Sequence, residues 1–216
     1  MATMFTEPQG GLAFPQSLAD KYRPRTIQGF LGLDKPRKIA ANFATNPRAA
    51  AFLFKGPSGT GKTSLALALN EEIHGELIHI PSQHCTVAEL EEALRMTKYV
   101  PAAGKKFWFV LVDEADQMSD KAQLALLSKL DATGRIEGCV FVFTCNDTDR
   151  LESRFLSRCL VVEFSSYGLN GNLTNFLREV WFKEGGTEEN APNFARVACG
   201  NVRESLMRLE TELLSI

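Results

Sequence analysis

A glycine-rich segment that ends in a lysine and a threonine is the strongest chemical signal in the chain. Gly56-Pro57-Ser58-Gly59-Thr60-Gly61-Lys62-Thr63 fits the pattern G-x-x-x-x-G-K-[ST]. Glycines let consecutive backbone N–H groups turn toward phosphate oxygens, and a helix that begins there adds its positive dipole end. Lys62 would reach the β- and γ-phosphates of a nucleotide, and the Thr63 hydroxyl would hold Mg²⁺. The segment therefore predicts a phosphate-binding loop (P-loop) in preference to a chance Gly/Pro turn.

A pair of carboxylates follows a second, longer apolar run. Residues 107–112 are apolar on both faces, as in a central parallel strand, and Asp113 and Glu114 come directly after them. Such strands deliver the residues at their C-terminal ends to the ligand edge of the sheet. Asp113 is predicted to hold Mg²⁺, and Glu114 to orient or deprotonate an attacking water. The alternative, a helix cap after a core strand, is disfavoured by the pairing with a P-loop at this distance.

Two further sets of polar residues lie toward the C-terminus. Asn146 follows an apolar segment at 139–144, so a polar side chain again ends a predicted strand. Arg150, Arg154 and Arg158 recur every four residues in a segment predicted to be helical over 149–157. Arginines at that spacing line one helix face. Such a row is often only a solvated stripe, and the spacing alone leaves its role open.

The elements that must position these residues form an α/β pattern. Strand segments are expected at 51–55, 76–80, 107–112, 139–144 and 160–164, with helices between them. The Ala- and Leu-rich residues after the P-loop predict a helix that Gly75 would end, and Leu124, Leu127 and Leu130 predict one helix face. After Ser165 only helices are expected, at 170–183, 188–199 and 202–214. We predict a flexible arm over 1–17, a nucleotide-binding core over 18–166 and a small helical domain over 167–216.

Composition narrows the possible settings. The 216 residues suffice for one α/β domain with a small appendage, and the net charge of −2 excludes a basic surface over the whole chain. No apolar run reaches membrane-spanning length. Five cysteines without a C-x-x-C pair and three histidines without ligand spacing argue against a zinc site. The odd cysteine count and the lack of a secretory signal predict a cytoplasmic protein.

Taken in order, these motifs resemble the AAA+ ATPases, and within them the clamp-loader group of replication factor C small subunits and bacterial γ and δ′ subunits. The resemblance runs from about residue 18 to 210. The segments that carry it are Lys21-Tyr22-Arg23-Pro24-Arg25-Thr26 with Leu31-Gly32, the P-loop with Ser64, Asp113-Glu114-Ala115-Asp116 (Walker B), Thr144-Cys145-Asn146 (sensor 1), Leu156-Ser157-Arg158-Cys159 (Ser-Arg-Cys) and Gly200-Asn201-Val202-Arg203 (sensor 2).

The resemblance implies roles that spacing does not give. Tyr22, Arg23 and Pro24, with Leu31 and Gly32, would lie against the adenine of ATP. Asn146 would help to place the attacking water, and Arg203 would reach the γ-phosphate from a helical lid. Arg158 would act on ATP bound by a neighbouring subunit, with Arg154 as a second candidate for that role. ATP and Mg²⁺ are the implied cofactors. The implied partners are copies of the chain or related AAA+ subunits, DNA, and a sliding clamp or another replication protein.

Three features depart from the clamp-loader pattern. The chain ends where the lid would end, so the collar domain of clamp loaders is expected to be missing. Leu33 stands where Gln is usual, and residues 125–129 replace an arginine-rich helix. Residues 82–86 and the helix after them occupy the region that faces DNA in clamp loaders. The departures weaken the expectation of a sliding clamp as target and leave ATP binding untouched.

Several functions remain at this point. The first is a clamp-loader-like ATPase in DNA replication, repair or a mobile element, and the second is an ATP-responsive scaffold or adaptor of a DNA-processing complex with little turnover. ATPase assays with and without DNA separate them. A small-molecule P-loop kinase is disfavoured by Asn146, the Ser-Arg-Cys segment and Arg203. A DEAD-box helicase is excluded by length, because that class needs two motor domains.

Overall fold

The fold is built on a parallel sheet whose strands lie where the sequence predicts them. The computed structural model describes residues 16–81, 85–131, 136–166 and 169–215. The strands are β1 (Ala50–Lys55), β2 (Gly75–Ile80), β3 (Phe107–Val112), β4 (Cys139–Cys145) and β5 (Leu160–Glu163). They form one sheet in the order β2-β3-β4-β1-β5, and every pairing is parallel. The predicted five-stranded parallel sheet is confirmed.

Helices cover both faces of the sheet and then form a separate layer. Those of the described residues are α1 (Leu18–Lys21), α2 (Asp34–Thr45), α3 (Lys62–Glu72), α4 (Val87–Met96), α5 (Asp120–Leu130), α6 (Ser153–Leu156), α7 (Leu169–Lys183), α8 (Phe194–Val197) and α9 (Val202–Leu213). The central strands β1, β3 and β4 are buried on both faces, as their continuous apolar runs require. One apolar cluster packs α2 and α3 on one face of the sheet, and another packs α4 and α5 on the opposite face.

A third apolar cluster joins the C-terminal helices. Leu173, Leu177 and Trp181 of α7 pack there with Leu206 and Leu209 of α9. Leu18 of α1 belongs to the same cluster, so the first described helix packs on the C-terminal helices. We call α7, α8 and α9 the lid. The division of the chain into arm, core and lid at the predicted boundaries stays a prediction, because residues 1–15 and 167–168 lie outside the described residues.

Two predicted helices are much shorter than expected. Of residues 149–157, only Ser153–Leu156 are helical, so the three arginines do not share a helix face. The cause is Gln123, whose buried amide donates to the Arg150 carbonyl (3.0 Å) and accepts from the Glu152 amide (2.8 Å), holding that backbone out of a helix. Of residues 188–199, only Phe194–Val197 are helical.

Local chemistry accounts for the late start of α8. Pro192 has no backbone N–H, and Asn193 caps the helix by accepting from the amides of Ala195 and Arg196.

None of the helices in the described ranges is long and apolar enough to cross a membrane.

Candidate functional site

The P-loop joins β1 to α3 and holds the Lys62 side chain beneath it. Gly59 and Gly61 have φ of 72° and 94°, a region that glycine enters without strain. The Lys62 ammonium donates to the carbonyls of Gly56 (2.6 Å) and Pro57 (2.9 Å) and to Asn146 Oδ1 (3.0 Å). Burial lowers the pKa of this ammonium, and the nearby Cys145, Asp116 and Asp113 oppose the shift. Among the described residues, the hydrogen-bond acceptors of Lys62 are two loop carbonyls and one side-chain amide, so its charge is available to an anion in the loop.

Asp113 accepts two hydroxyl hydrogen bonds at the end of β3. Thr63 Oγ1 donates to Asp113 Oδ1 at 2.7 Å, and Thr144 Oγ1 donates to the same oxygen at 2.6 Å. The second carboxylate oxygen lies 3.6 Å from His79 Nε2. The two residues predicted to hold Mg²⁺, Thr63 and Asp113, are therefore in direct contact. A hydroxyl beside a carboxylate is a donor set of hard oxygens, which suits Mg²⁺.

Glu114 begins a sharp turn just after Asp113. Its backbone lies in the left-handed region at φ 51° and ψ 51°, which is costly for a residue with a side chain. Its amide donates to Thr144 Oγ1 at 3.0 Å, so Thr144 fixes both carboxylate residues of the pair. Strained backbone of this kind concentrates at functional sites. The turn places Glu114 at the cleft described next.

A cleft of about 550 Å³ lies between the P-loop and the lid. This is within the range of about 300–1,000 Å³ found for small-molecule sites. The predicted site residues that line it are Tyr22, Arg23, Pro24, Leu31, Ser58, Gly59, Thr60, Gly61, Lys62, Thr63, Ser64, Asp113, Glu114, Asn146 and Arg203. Residues of the P-loop, α3, the segments at the ends of β3 and β4, α9 and the N-terminal segment thus meet around one space, with phosphate-binding chemistry at one end.

The other end of the cleft is largely apolar and joins the N-terminal segment to the lid. Tyr22 packs edge-on against Phe176, with ring centroids 6.0 Å apart. Its hydroxyl donates to Glu184 at 2.5 Å, and burial together with this carboxylate raises the pKa of Tyr22 to about 12. Met207 and Leu206 of α9 also line the cleft, and Phe30 lies beside Gly61 of the P-loop. A flat ring fits such a surface, because stacking on aromatic and aliphatic side chains needs no charge.

Four of the predicted site residues lie outside the cleft lining. Gly56 and Pro57 contribute through their carbonyls to Lys62, and Gly32 takes a left-handed conformation (φ 59°) between Leu31 and Leu33, which do line it. Arg158 is the fourth. Its guanidinium donates to Asp131 Oδ2 (2.9 Å) and to the Arg154 carbonyl (2.7 Å), on a part of the chain that does not border the cleft.

Arg154 and Arg150 each contact a different partner. Arg154 is exposed, with Glu152 at 3.7 Å, and Arg150 donates to Gln117 Oε1 at 3.0 Å. Thr144 was named only as part of the sensor 1 segment and was given no role, because threonine in a strand is common. No role was predicted for Phe176, Met207 and Glu210 of the lid, since no local sequence signal identifies them.

Together these features define a class: a P-loop nucleotide-binding domain with a helical lid. Residues 52–167, more than half of the chain, match the family model described as ATPase family associated with various cellular activities (AAA). The chain therefore belongs to the AAA family, which confirms the resemblance given by the motifs.

Comparison with individual proteins agrees with this assignment. The chain is 26% identical over 200 residues to a replication factor C small subunit of Archaeoglobus fulgidus, covering 88% of this chain and 62% of that protein. It is 30% identical over 155 residues to the replication factor C small subunit of Picrophilus torridus, covering 67% and 47%. The chain thus spans about half to three fifths of the length of these relatives.

The fold is also seen in a solved structure of more distant sequence. The Holliday junction branch migration motor RuvB of Thermotoga maritima superposes with a TM-score of 0.71 at 17% identity, over 88% of this chain and 64% of that one. At this identity the likeness concerns the fold, which is a parallel P-loop sheet with a helical lid.

Replacement of Lys62 by alanine is expected to weaken ATP binding by about 10- to 150-fold, the range for a hydrogen bond to a charged group. The physical reason is the loss of the buried cation that the P-loop carbonyls hold beneath the loop. Titration calorimetry with ATP and Mg²⁺ measures the effect. Lys55→Ala is the matched control, since Lys55 donates to Thr148 outside the cleft. Equal ATP affinities for the parent and Lys62→Ala would contradict the assignment of residues 56–63 as a P-loop.

Proposed function

We propose that this chain binds ATP with Mg²⁺ in the cleft and hydrolyses it as a subunit of a clamp-loader-like assembly that acts on DNA. The observation that carries the proposal is the joint position of Lys62, Thr63, Asp113 and Glu114 at one end of the cleft. Lys62 supplies a cation for the phosphates, and Thr63 and Asp113 supply two hard oxygen ligands. Glu114 supplies a carboxylate base. A binding protein without turnover has no need of the strained turn that presents Glu114.

Each group has a distinct task in this proposal. The P-loop amides and Lys62 bind the phosphates, and Thr63 and Asp113 would hold Mg²⁺, which neutralises phosphate charge when bound. Glu114 orients the attacking water and accepts its proton. Asn146, which accepts from Lys62 in this structure, lies at the same end and can contact that water. Arg203 lines the cleft from the lid and is proposed to contact the γ-phosphate.

Arg158 is proposed to complete the site of a neighbouring subunit. It cannot assist hydrolysis in its own cleft, because its guanidinium is bound to Asp131 and Arg154 away from the lining. Its side chain is also 28% exposed, so a second subunit can reach it. Arginine fingers that act between chains contribute about 10³–10⁵ to the rate of phosphoryl transfer. The names of the replication factor C relatives support an assembly of this kind.

The experiment that tests the proposal is steady-state ATP hydrolysis with and without primed DNA. We expect turnover that requires Mg²⁺ and rises when DNA is added, because assembly on DNA would bring Arg158 to a neighbouring cleft. Binding of ATP with no turnover in either condition would favour the scaffold or adaptor function. A chain that binds no ATP would fit neither function.

DNA binding is expected to be weak without ATP and to fall steeply with salt. The net charge of −2 offers one subunit few phosphate contacts, whereas exposed Lys98, Lys105 and Lys106 follow α4 and precede β3. Each phosphate contact contributes about 0.9 to the slope of log affinity against log salt on duplex DNA. Fluorescence anisotropy should show this slope fall by about 1 in Lys105→Gln, with Lys183→Gln on the lid as control. An unchanged slope would exclude Lys105 as a DNA contact.

Of the loop predicted to face DNA, residues 82–84 lie outside the described residues.

A further inference from the structure

Asn201 joins the lid to the P-loop. It is the residue before α9, and its side-chain amide donates from Nδ2 to the Ser58 carbonyl at 3.1 Å. Ser58 and Asn201 are 143 positions apart in sequence, so this bond is a tertiary contact that holds the start of α9 against the P-loop. Asn201 belongs to the sensor 2 segment, in which the resemblance assigns a role toward the nucleotide only to Arg203.

The other half of the same amide begins α9. Asn201 Oδ1 accepts from the Glu204 amide at 3.1 Å, and the Asn201 carbonyl accepts from the Ser205 amide at 2.9 Å. One planar group therefore fixes the first turn of α9 and its distance from Ser58. Rotation of the amide to improve one contact would break the other. Arg203 lies in that first turn, two residues after Asn201.

The packing between Asn201 and the loop is too close for a side chain on Gly59. A Cβ at this position would overlap the Asn201 amide, and Gly59 already has a positive φ of 72°. The fourth position of the loop, Gly59, is thus a glycine for two reasons: its positive φ and its close contact with Asn201 before the lid helix α9. Arg203 is also close enough to Lys62 to lower the pKa of that ammonium, although burial is the larger cause.

We infer that Asn201 is a positioning residue, which docks the lid on the P-loop and so holds Arg203 at the γ-phosphate end of the cleft. The inference rests on the proposed function and adds a residue that acts through Arg203. Its consequence concerns nucleotide discrimination, because ATP carries the γ-phosphate and ADP does not. Loss of the Asn201–Ser58 bond should weaken binding of ATP more than binding of ADP.

Serine at position 201 separates the two halves of the amide. Serine is a good helix N-cap, so Asn201→Ser retains the bond to Glu204, but its hydroxyl is too short to reach Ser58 as well. We expect affinity for a slowly hydrolysed ATP analogue to fall by about 2- to 10-fold, the range for one neutral hydrogen bond, and affinity for ADP to change less than twofold. Asn193→Ser is the matched control, because Asn193 caps α8 in the same lid.

The decisive measurement is a double-mutant cycle with Arg203. Dissociation constants for the analogue and for ADP are measured by competition with a fluorescent nucleotide in the parent, Asn201→Ser, Arg203→Ala and the double variant. The inference predicts that Asn201→Ser has less than a twofold effect on analogue binding once Arg203 is absent. An equal loss for both nucleotides, an equal loss in the Arg203→Ala background, or no loss in any background would overturn it.

Stability and a second variant keep the test clear of unfolding. Without nucleotide, the thermal midpoints of Asn201→Ser and Asn193→Ser should differ by no more than about 4 °C, the shift expected for one lost hydrogen bond in a chain of this size. If Asn201→Ser unfolds the lid, Asn201→Thr replaces it, because threonine keeps the cap, carries no charge and lacks the amide donor. If the parent protein binds no ATP analogue, the proposed function is wrong. If the parent binds the analogue but Asn201→Ser weakens analogue and ADP binding equally, only the role of Asn201 is wrong.

Discussion

Replacement of Arg158 by alanine should lower the ATP turnover of the assembled protein by about 10³- to 10⁵-fold while ATP affinity stays within twofold. The two effects separate because Arg158 does not line the cleft of its own chain. Its guanidinium carries a full charge at its tip and needs only to exchange Asp131 for a phosphate oxygen of a neighbour. Alanine removes that charge and leaves the fold intact, since the pair with Asp131 is half-exposed and contributes little.

Two other arginines make the experiment specific. Arg208→Ala removes a lid arginine that pairs with Glu204 on the surface, and it should keep parental turnover. Arg154→Ala tests the second candidate for the role, because Arg154 lies in the same segment and is exposed. Turnover is measured at saturating ATP, and affinity by calorimetry. Full activity in Arg158→Ala would indicate that Arg158 is only a solvated surface residue. It would contradict the proposal that a neighbouring subunit completes the site.

Replacement of Glu114 by glutamine should lower turnover by about 10²- to 10⁴-fold, the contribution typical of a positioned general base. The amide keeps the size of the carboxylate but cannot accept the proton of the attacking water. ATP binding should persist, because Lys62, Thr63 and Asp113 are unchanged, and tighter apparent binding would follow if ATP is no longer consumed. Single-turnover hydrolysis measures the chemical step directly.

A surface carboxylate serves as the control for this substitution. Glu91→Gln changes an exposed residue of α4, and it should hydrolyse ATP at the parental rate. Asn146→Ala should show a milder loss than Glu114→Gln, since Asn146 places a water and does not take its proton. Parental turnover in Glu114→Gln would withdraw the role of the base and leave the ATP-responsive scaffold as the better account.

Local patterns predicted the sheet and the phosphate end of the cleft. Thr63 and Asp113 were each assigned to Mg²⁺ from separate motifs, and the fold brings their side chains within 2.7 Å. This success has a simple cause: a parallel sheet places the ends of β1, β3 and β4 at one edge, so motifs at strand ends converge. The catalytic roles of Glu114, Asn146, Arg158 and Arg203 stay predictions.

Prediction failed where a buried polar group replaced the expected apolar pattern. Leu124, Leu127 and Leu130 were expected to share one face of α5. Leu130 is buried and Leu127 is partly buried, but Leu124 is 46% exposed, and Leu126 and Gln123 are buried on the core side. Burial of Gln123 is tolerated because its amide is hydrogen-bonded to the segment before α6. A periodicity count cannot register a residue of this kind.

The end of α3 shows a second limit. Gly75 was expected to end the helix in a left-handed conformation, yet His74 adopts it (φ 55°) and Gly75 begins β2. A Cβ at Gly75 would overlap the Asn70 amide, so this glycine permits a close approach and not a turn. Contacts between the lid and the N-terminal segment, such as Tyr22 with Glu184, were beyond prediction because nothing local specifies which distant helix packs there.

The central claim, that ATP is hydrolysed in a cleft completed by a neighbour, is tested most directly by mixing two inactive proteins. At an ATP concentration well below its raised dissociation constant, Lys62→Ala should be nearly inactive because its cleft is largely empty, although its Arg158 is intact. Arg158→Ala should be inactive because it lacks the finger. A mixture contains interfaces at which an intact Arg158 faces an occupied cleft. The account predicts that the mixture regains part of the parental ATPase rate and that the recovery rises with total protein concentration, since the joint site exists only in the assembly. A mixture that stays inactive over concentrations at which the parent hydrolyses ATP would contradict it.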